Sequence, residues 1–232
     1  MSGVIAVLGF GEAGSLIARD RVAAGADLVL SVNSAKEAVA AFAAALDAMG
    51  PGAVWADLNT AAPGIKQRLA EMGRARGVPV TDIAMMAPVP GRGLRVPMLA
   101  SGDAARQVAG RLGAYGADVE VLDGPAGLAA SKKLLRSVFY KGMAASIVEA
   151  LEAARAAGHE DWLREHIAEE LAKSDASTLD RIVTGTRQHA VRRGAEMEAA
   201  AQMLTELGVR PLMADASRAL HERLAAGDDD RP

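Results

Sequence analysis

Lys133, Ser137 and Lys141 recur every four residues in Gly127–Lys141, GLAASKKLLRSVFYK, so a helix there carries all three on one face. A lysine held in a dry cleft can take or give a proton near neutral pH, which suits chemistry at a hydroxyl or carbonyl oxygen. The same spacing also fits a solvated basic stripe, and Lys132 points elsewhere. A second candidate lies at the amino end. Gly9-Phe10-Gly11-Glu12-Ala13-Gly14 is a GxGxxG that follows an apolar run and opens a helix-like stretch. In that context Gly9 permits a tight turn, Gly11 lets a pyrophosphate approach the backbone, and Gly14 lets helix pack on strand. The amides opening the helix then face the phosphates.

Three further stretches carry polar groups at strand ends. Ser31-Val32-Asn33, followed by Ser34 and Lys36, closes the second apolar run. It contains no carboxylate to hold an adenosine ribose. Asn33, Ser34 and Lys36 suit a 2′-phosphate, and equally suit the start of the next helix. Asp57-Leu58-Asn59-Thr60 either lines a ligand crevice or forms an Asx-type turn before a helix from Pro63. Pro88-Val89-Pro90-Gly91-Arg92 is a stiff loop whose arginine, with Arg95, can clamp a carboxylate or simply be solvated. His189, Arg192, Arg193 and Glu196 read as a charged helix face, with i, i+4 pairs His189–Arg193 and Arg192–Glu196.

The elements that must position these groups follow from periodicity. Val4–Phe10, Asp27–Val32, Ala53–Leu58, Val80–Met86, Val96–Ala100 and Val119–Leu122 read as strands. Gly14–Ala24 and Ala35–Met49 read as helices between them. Such alternation implies an α/β fold with a mostly parallel, Rossmann-type sheet. Beyond about Gly124 only helices are expected: Gly127–Ala157, Asp161–Ala172, Thr178–Leu207 and Ala214–Ala226, then a frayed Gly227–Pro232. The expected organisation is a dinucleotide-binding domain over 1–124 and an all-α domain over 125–232.

Composition bounds the function. Cysteine is absent, which removes disulfides, thiolate zinc sites and cysteine nucleophiles. Four histidines form no HxxxH pair, so no metal is expected. The net charge of -3 and 3% aromatic residues argue against a nucleic-acid surface. The apolar run Ala38–Leu46 falls well short of the ~20 residues of a membrane span. No signal peptide is read in MSGVIAVLGF, so a cytoplasmic protein is expected.

These pieces, in this order, resemble the β-hydroxyacid dehydrogenase superfamily, which includes 3-hydroxyisobutyrate and 6-phosphogluconate dehydrogenases. The resemblance covers essentially the whole chain. GFGEAGS looks like the family's cofactor glycine motif, and DLNT matches its D-x-S/N-T, with Thr60 near the nicotinamide ribose. APVPG resembles its A-P-V-S-G substrate loop, with Pro90 in place of serine. GLAASKKLLRS matches G-x5-K-x3-N, which places Lys133 at the catalytic lysine and Ser137 at the asparagine. HAVRRGAEM resembles a helix of the phosphogluconate-dehydrogenase-like C-terminal domain. The resemblance implies NADP or NAD as cofactor, held by Gly9–Gly14, Ser31, Val32, Asn33 and Thr60. It implies a small hydroxy-acid substrate held by Pro88–Arg92 and Lys141, and a homodimer joined through the helical domain. A relative that keeps the fold as an oligomeric binding protein, without turnover, is the alternative.

One piece is missing. Between Gly11 and Asp57 only one strand, Asp27–Val32, and one following helix, Ala35–Met49, fit, whereas the full nucleotide fold places three strands there at ~30 residues per βαβ unit. In the resembling family ADLVLSVNSA looks like the fourth strand. The second and third strands are therefore expected to be absent, with the join at Asp20–Gly25 and Val4–Phe10 left as a sheet edge. The consequence is weak cofactor affinity.

Overall fold

The computed structural model describes residues 4–9 and 25–227. They form two compact units, Met1–Val138 and Phe139–Pro232. The first holds six strands in the order β1-β2-β3-β4-β5-β6: Ile5–Leu8, Leu28–Ser31, Val54–Asp57, Val80–Met85, Met98–Ser101 and Val119–Val121. All neighbours pair in parallel except β4 and β5. Helices α1 (Ala38–Leu46), α2 (Pro63–Arg74) and α3 (Ala105–Gly113) belong to this unit.

The strands alternate between two cores, as a sheet covered on both faces requires. Leu28, Leu30, Val54, Ala56 and Ile83 join Val108 and Leu112 of α3 on one face. Val29, Trp55 and Val80 join Phe42 of α1 and Leu69 of α2 on the other. Phe42 and Trp55 meet with ring centroids 4.7 Å apart. All four residues of β3 are buried, so it is a central strand.

Among the described residues, β1 pairs with β2 and with no strand on its other side. Val7 is 50% exposed. Nineteen residues separate Leu8 from Leu28. That suffices for one parallel crossover and is well short of the ~30 residues of a further βαβ unit. The expected join at Asp20–Gly25 lies, but for Gly25, outside the described residues. So do Phe10, Gly11, Glu12, Ala13 and Gly14, and the helix expected at Gly14–Ala24.

Helix α4 (Leu128–Ala156) runs past the division between the units. The second unit continues with α5 (Glu160–Ala172), α6 (Ala176–Gln188), α7 (Ala190–Glu206) and α8 (Leu212–Ala225). The single helix expected over Thr178–Leu207 is two helices. They break at His189, whose φ of -115° and ψ of 24° leave the helical range. Helical periodicity is blind to such a one-residue break. Arg193 then donates from Nη1 to Thr186 Oγ1 at 2.7 Å, across the break, and does not pair with the His189 side chain. The Arg192–Glu196 pair forms as expected, at 2.7 Å and exposed. Helix α3 is not among the expected helices, although its buried Ala105, Val108 and Leu112 recur at helical spacing. Two other details matter within the second unit. Glu149 caps α8 by accepting from the Met213 and Ala214 amides at 2.7 and 2.9 Å. Asp175 caps α6 in a reciprocal box with Thr178. Among the described residues no helix is long and apolar enough to cross a membrane.

Candidate functional site

From the carboxyl ends of β2 and β3 to Asp82 within β4 runs a chain of buried and half-buried polar groups. At β1, Gly9 has φ +130°, and a Cβ there would lie 2.1 Å from the Val32 carbonyl oxygen and 2.6 Å from Asn33 Oδ1. Only glycine permits β1 and β2 to end this close together. Gly9, Val32 and Asn33 are thus brought to one place, and Gly9 is explained by its own chain's backbone. Ser31, the last residue of β2, is fully buried. Its hydroxyl accepts from Asn33 Nδ2 at 3.3 Å and from Asn59 Nδ2 at 3.1 Å, tying β2 to the end of β3.

Asp57 and Asn59 of the DLNT motif face inward. Asn59 donates from its backbone to Asp57 Oδ1 at 3.3 Å and from its amide to Oδ2 at 2.7 Å. The turn reading of Asp57 therefore describes its geometry. Helix α2 begins after Ala62 without a side-chain cap, so Asp57 forms the turn and does not cap that helix. Thr60 is exposed. Asn59 is 4% exposed, and its Oδ1 has no hydrogen-bond partner among the described residues. A buried acceptor without a donor is costly.

Spacing alone did not single out the centre of the chain. Lys66, on α2, is 1% exposed, between two carboxylates that are fully buried. Its Nζ lies 2.5 Å from Asp57 Oδ1 and 3.0 Å from Asp82 Oδ1, and donates to the Asp57 carbonyl at 2.9 Å. Asp82 Oδ2 accepts from the Gly127 and Ala130 amides at 3.1 and 2.8 Å, and Ser101 Oγ accepts from Ala129 at 3.1 Å. These are the orphan donors at the start of α4. One cation thus faces two carboxylates, and the surplus negative charge meets the positive end of a helix. A signal for this existed: Asp82 interrupts the apolar strand VTDIAM, and a carboxylate buried in a strand must be paired.

Gly127 has φ +104°, and a Cβ there would come within 3.0 Å of the Pro63 carbonyl, so α4 starts tight against the start of α2. Lys133 sits one turn beyond Ala130 and is half-buried, whereas Lys132 is exposed. Ser137 is half-buried, and its hydroxyl donates to the Lys133 carbonyl at 2.9 Å. Lys141, a further turn on, is exposed. Pro88, Val89, Pro90, Gly91 and Arg92 form an exposed loop after β4, leading into a 3-10 turn at Gly93–Arg95. Ser34 closes a turn before α1, with Oγ accepting from Glu37 at 3.3 Å, and Lys36 is exposed.

Residues 154–224 match a family described as a domain of unknown function, DUF1932. No curated protein matches the chain. A conserved hypothetical protein from Sinorhizobium meliloti is 29% identical, with 100% of this chain and 91% of that one covered and a TM-score of 0.58. A conserved protein of unknown function, described as structurally similar to 3-hydroxyacid dehydrogenases, is 22% identical over 97% of each chain, with a TM-score of 0.55. A reductive aminase from Aspergillus terreus, solved with NADPH and ethyl levulinate, is 18% identical over 98% of this chain and 95% of its own, with a TM-score of 0.73. The resemblance to hydroxyacid-dehydrogenase-like proteins holds at the level of the fold, a Rossmann-like sheet followed by helices.

Proposed function

We propose that the chain is an NAD(P)-dependent oxidoreductase that reduces or forms a polar double bond, C=O or C=N, in a small substrate, with Lys133 as the proton-transfer group. The observation that carries this reading is the polar chain joining Gly9, Asn33 and Asn59 to the helix that presents Lys133. The fold neighbours support it, since they include a hydroxyacid-dehydrogenase-like protein and an NADPH-bound reductive aminase. The second of these widens the expected hydroxy-acid chemistry to C=N bonds.

The nicotinamide group, when bound, supplies or accepts the hydride. The chain's own residues do the rest. Gly9, Val32 and Asn33 shape the pyrophosphate end of the site. The exposed Thr60 suits a hydroxyl of a ribose. Lys133 gives a proton to the substrate oxygen or nitrogen during reduction and takes it back in the reverse direction. Its positive charge also favours negative charge that develops on that atom. Ser137 spends its proton on the Lys133 carbonyl and keeps its lone pairs for a substrate donor. Arg92, on the exposed loop, offers charge to a substrate carboxylate.

We further propose that the second unit pairs with a second copy. Every residue of α5 and α6 is at least partly exposed, and Trp162, Leu179 and Ile182 are more than half exposed. An apolar cavity of about 540 Å³ in this unit is lined by Ala153, Trp162, Met197, Met203 and Leu204. Apolar surface of this kind calls for a partner.

The test of the enzymatic reading is a titration with NADPH and NADH, followed by nicotinamide fluorescence. Saturable binding supports it. No binding at millimolar cofactor overturns it in favour of a fold kept without the chemistry.

A further inference from the structure

We propose that Lys66 is a positioning residue for proton transfer: it clamps the DLNT end of β3 to the first turn of α4 and so fixes where Lys133 stands. The proposal rests on the reading of Lys133 given above. Lys66 makes three contacts, and each ends on an element of the site. Two go to Asp57, through its carboxylate and its carbonyl. The third goes to Asp82, whose other oxygen holds the Gly127 and Ala130 amides. Ala130 precedes Lys133 by one turn.

A lysine is a poor choice for filling this space if only stability is at stake. Buried ion pairs cost desolvation, and well-packed apolar groups of similar volume often serve as well. What an apolar group cannot do is hold two carboxylates at fixed distance while one of them holds a helix start. Displacement of the α4 start by about 1 Å would move Lys133 with it, and such a misplacement can cost ~10²-fold in rate.

The test uses Lys66→Gln, with the pair variant Asp57→Asn/Lys66→Met as its counterpart should the first not fold. Amide hydrogen exchange reads the clamp without any need for activity. The Gly127 and Ala130 amides, which Asp82 holds, should exchange about 10-fold faster or more in the variant, with the interiors of β3 and β4 keeping their protection. The kinetic arm uses NADPH with the best substrate from a panel of 3-oxo acids and cyclic imines. Here kcat should fall ~10- to 100-fold, with KM and NADPH affinity within about threefold. In a Lys133→Ala background the same change should cost almost nothing further, because the residue it positions is gone. Unchanged exchange at Gly127 and Ala130, or exchange raised evenly over the sheet, overturns the clamp. An equal loss of kcat with and without Lys133 overturns its catalytic purpose. If no panel member is turned over by the wild type, the oxidoreductase reading and the catalytic purpose fall together, and the exchange result still decides the clamp.

Discussion

Asp82 Oδ1 lies 3.0 Å from Lys66 Nζ, while its second oxygen holds the Gly127 and Ala130 amides at 3.1 and 2.8 Å. A strand, a helix side chain and a helix start therefore share one carboxylate. Replacing Asp82 by Ala leaves the Lys66 ammonium with a single carboxylate and two amides with no acceptor. Removing one partner of a buried charged pair costs ~3–5 kcal/mol. A denaturant melt should show a loss of that size, and a loss under ~1 kcal/mol would mean that water or a neighbour replaces the carboxylate.

The junction of α4 and α5 should be acid-sensitive. Glu160 accepts from Arg155 Nε at 2.6 Å and from Arg164 Nη2 at 3.0 Å. The Arg155 hydrogen bond, then that of Arg164, pulls its carboxyl from the ordinary 4.5 down to about 2. A depressed carboxylate contributes its stabilisation above the ordinary value and loses it as pH falls toward the folded one. An NMR titration of the Glu160 carboxyl should therefore show a midpoint well below 4.5. The midpoint should return to the ordinary value in Arg155→Ala/Arg164→Ala.

The exposed apolar faces of α5 and α6 predict self-association. Sedimentation at micromolar concentration should give twice the chain mass of 23.9 kDa. Replacing Trp162 and Leu179 by polar residues should shift the particle toward one chain mass. A wild-type chain that sediments only at 23.9 kDa contradicts the dimer.

The position of β1 predicts weak cofactor binding. In the dinucleotide fold, with its order 3-2-1-4-5-6, the strands beyond the first hold the adenosine ribose. Among the described residues nothing pairs with β1 on that side. Loss of two or three hydrogen bonds and a stacking face costs a few kcal/mol. NADPH should bind with a dissociation constant of roughly 10 µM or weaker. Sub-micromolar binding would contradict the account of this edge.

Much of this was legible in the sequence. Strands announce themselves through apolar runs, and all six runs contain the strands observed, save that β5 is displaced to Met98–Ser101. Helix α4 was legible from Leu128 onward because Gly127 precedes an unbroken Ala- and Leu-rich stretch. The break at His189 was not, since a kink of one residue leaves periodicity intact on both sides. Of the Lys66–Asp57–Asp82 cluster the sequence betrays only Asp82, a carboxylate within an apolar strand, and not its partners. Its members are spread over α2, β3 and β4, and only the sheet register brings them together. Spacing reveals partners within one helix, and tertiary pairing across strands leaves no such trace.

The role of Lys133 is the centre of the account, and one comparison tests it most directly. NADPH oxidation would be followed by its near-ultraviolet absorbance, with the same panel of 3-oxo acids and cyclic imines, in the wild type, Lys133→Ala and Lys132→Ala. Removing one proton-transfer group costs ~10²–10⁴ in rate. Lys133→Ala should lose kcat by that factor with NADPH affinity unchanged, and the exposed Lys132→Ala should behave as the wild type. Full kcat in Lys133→Ala, or equal losses in the two variants, would contradict this role of Lys133.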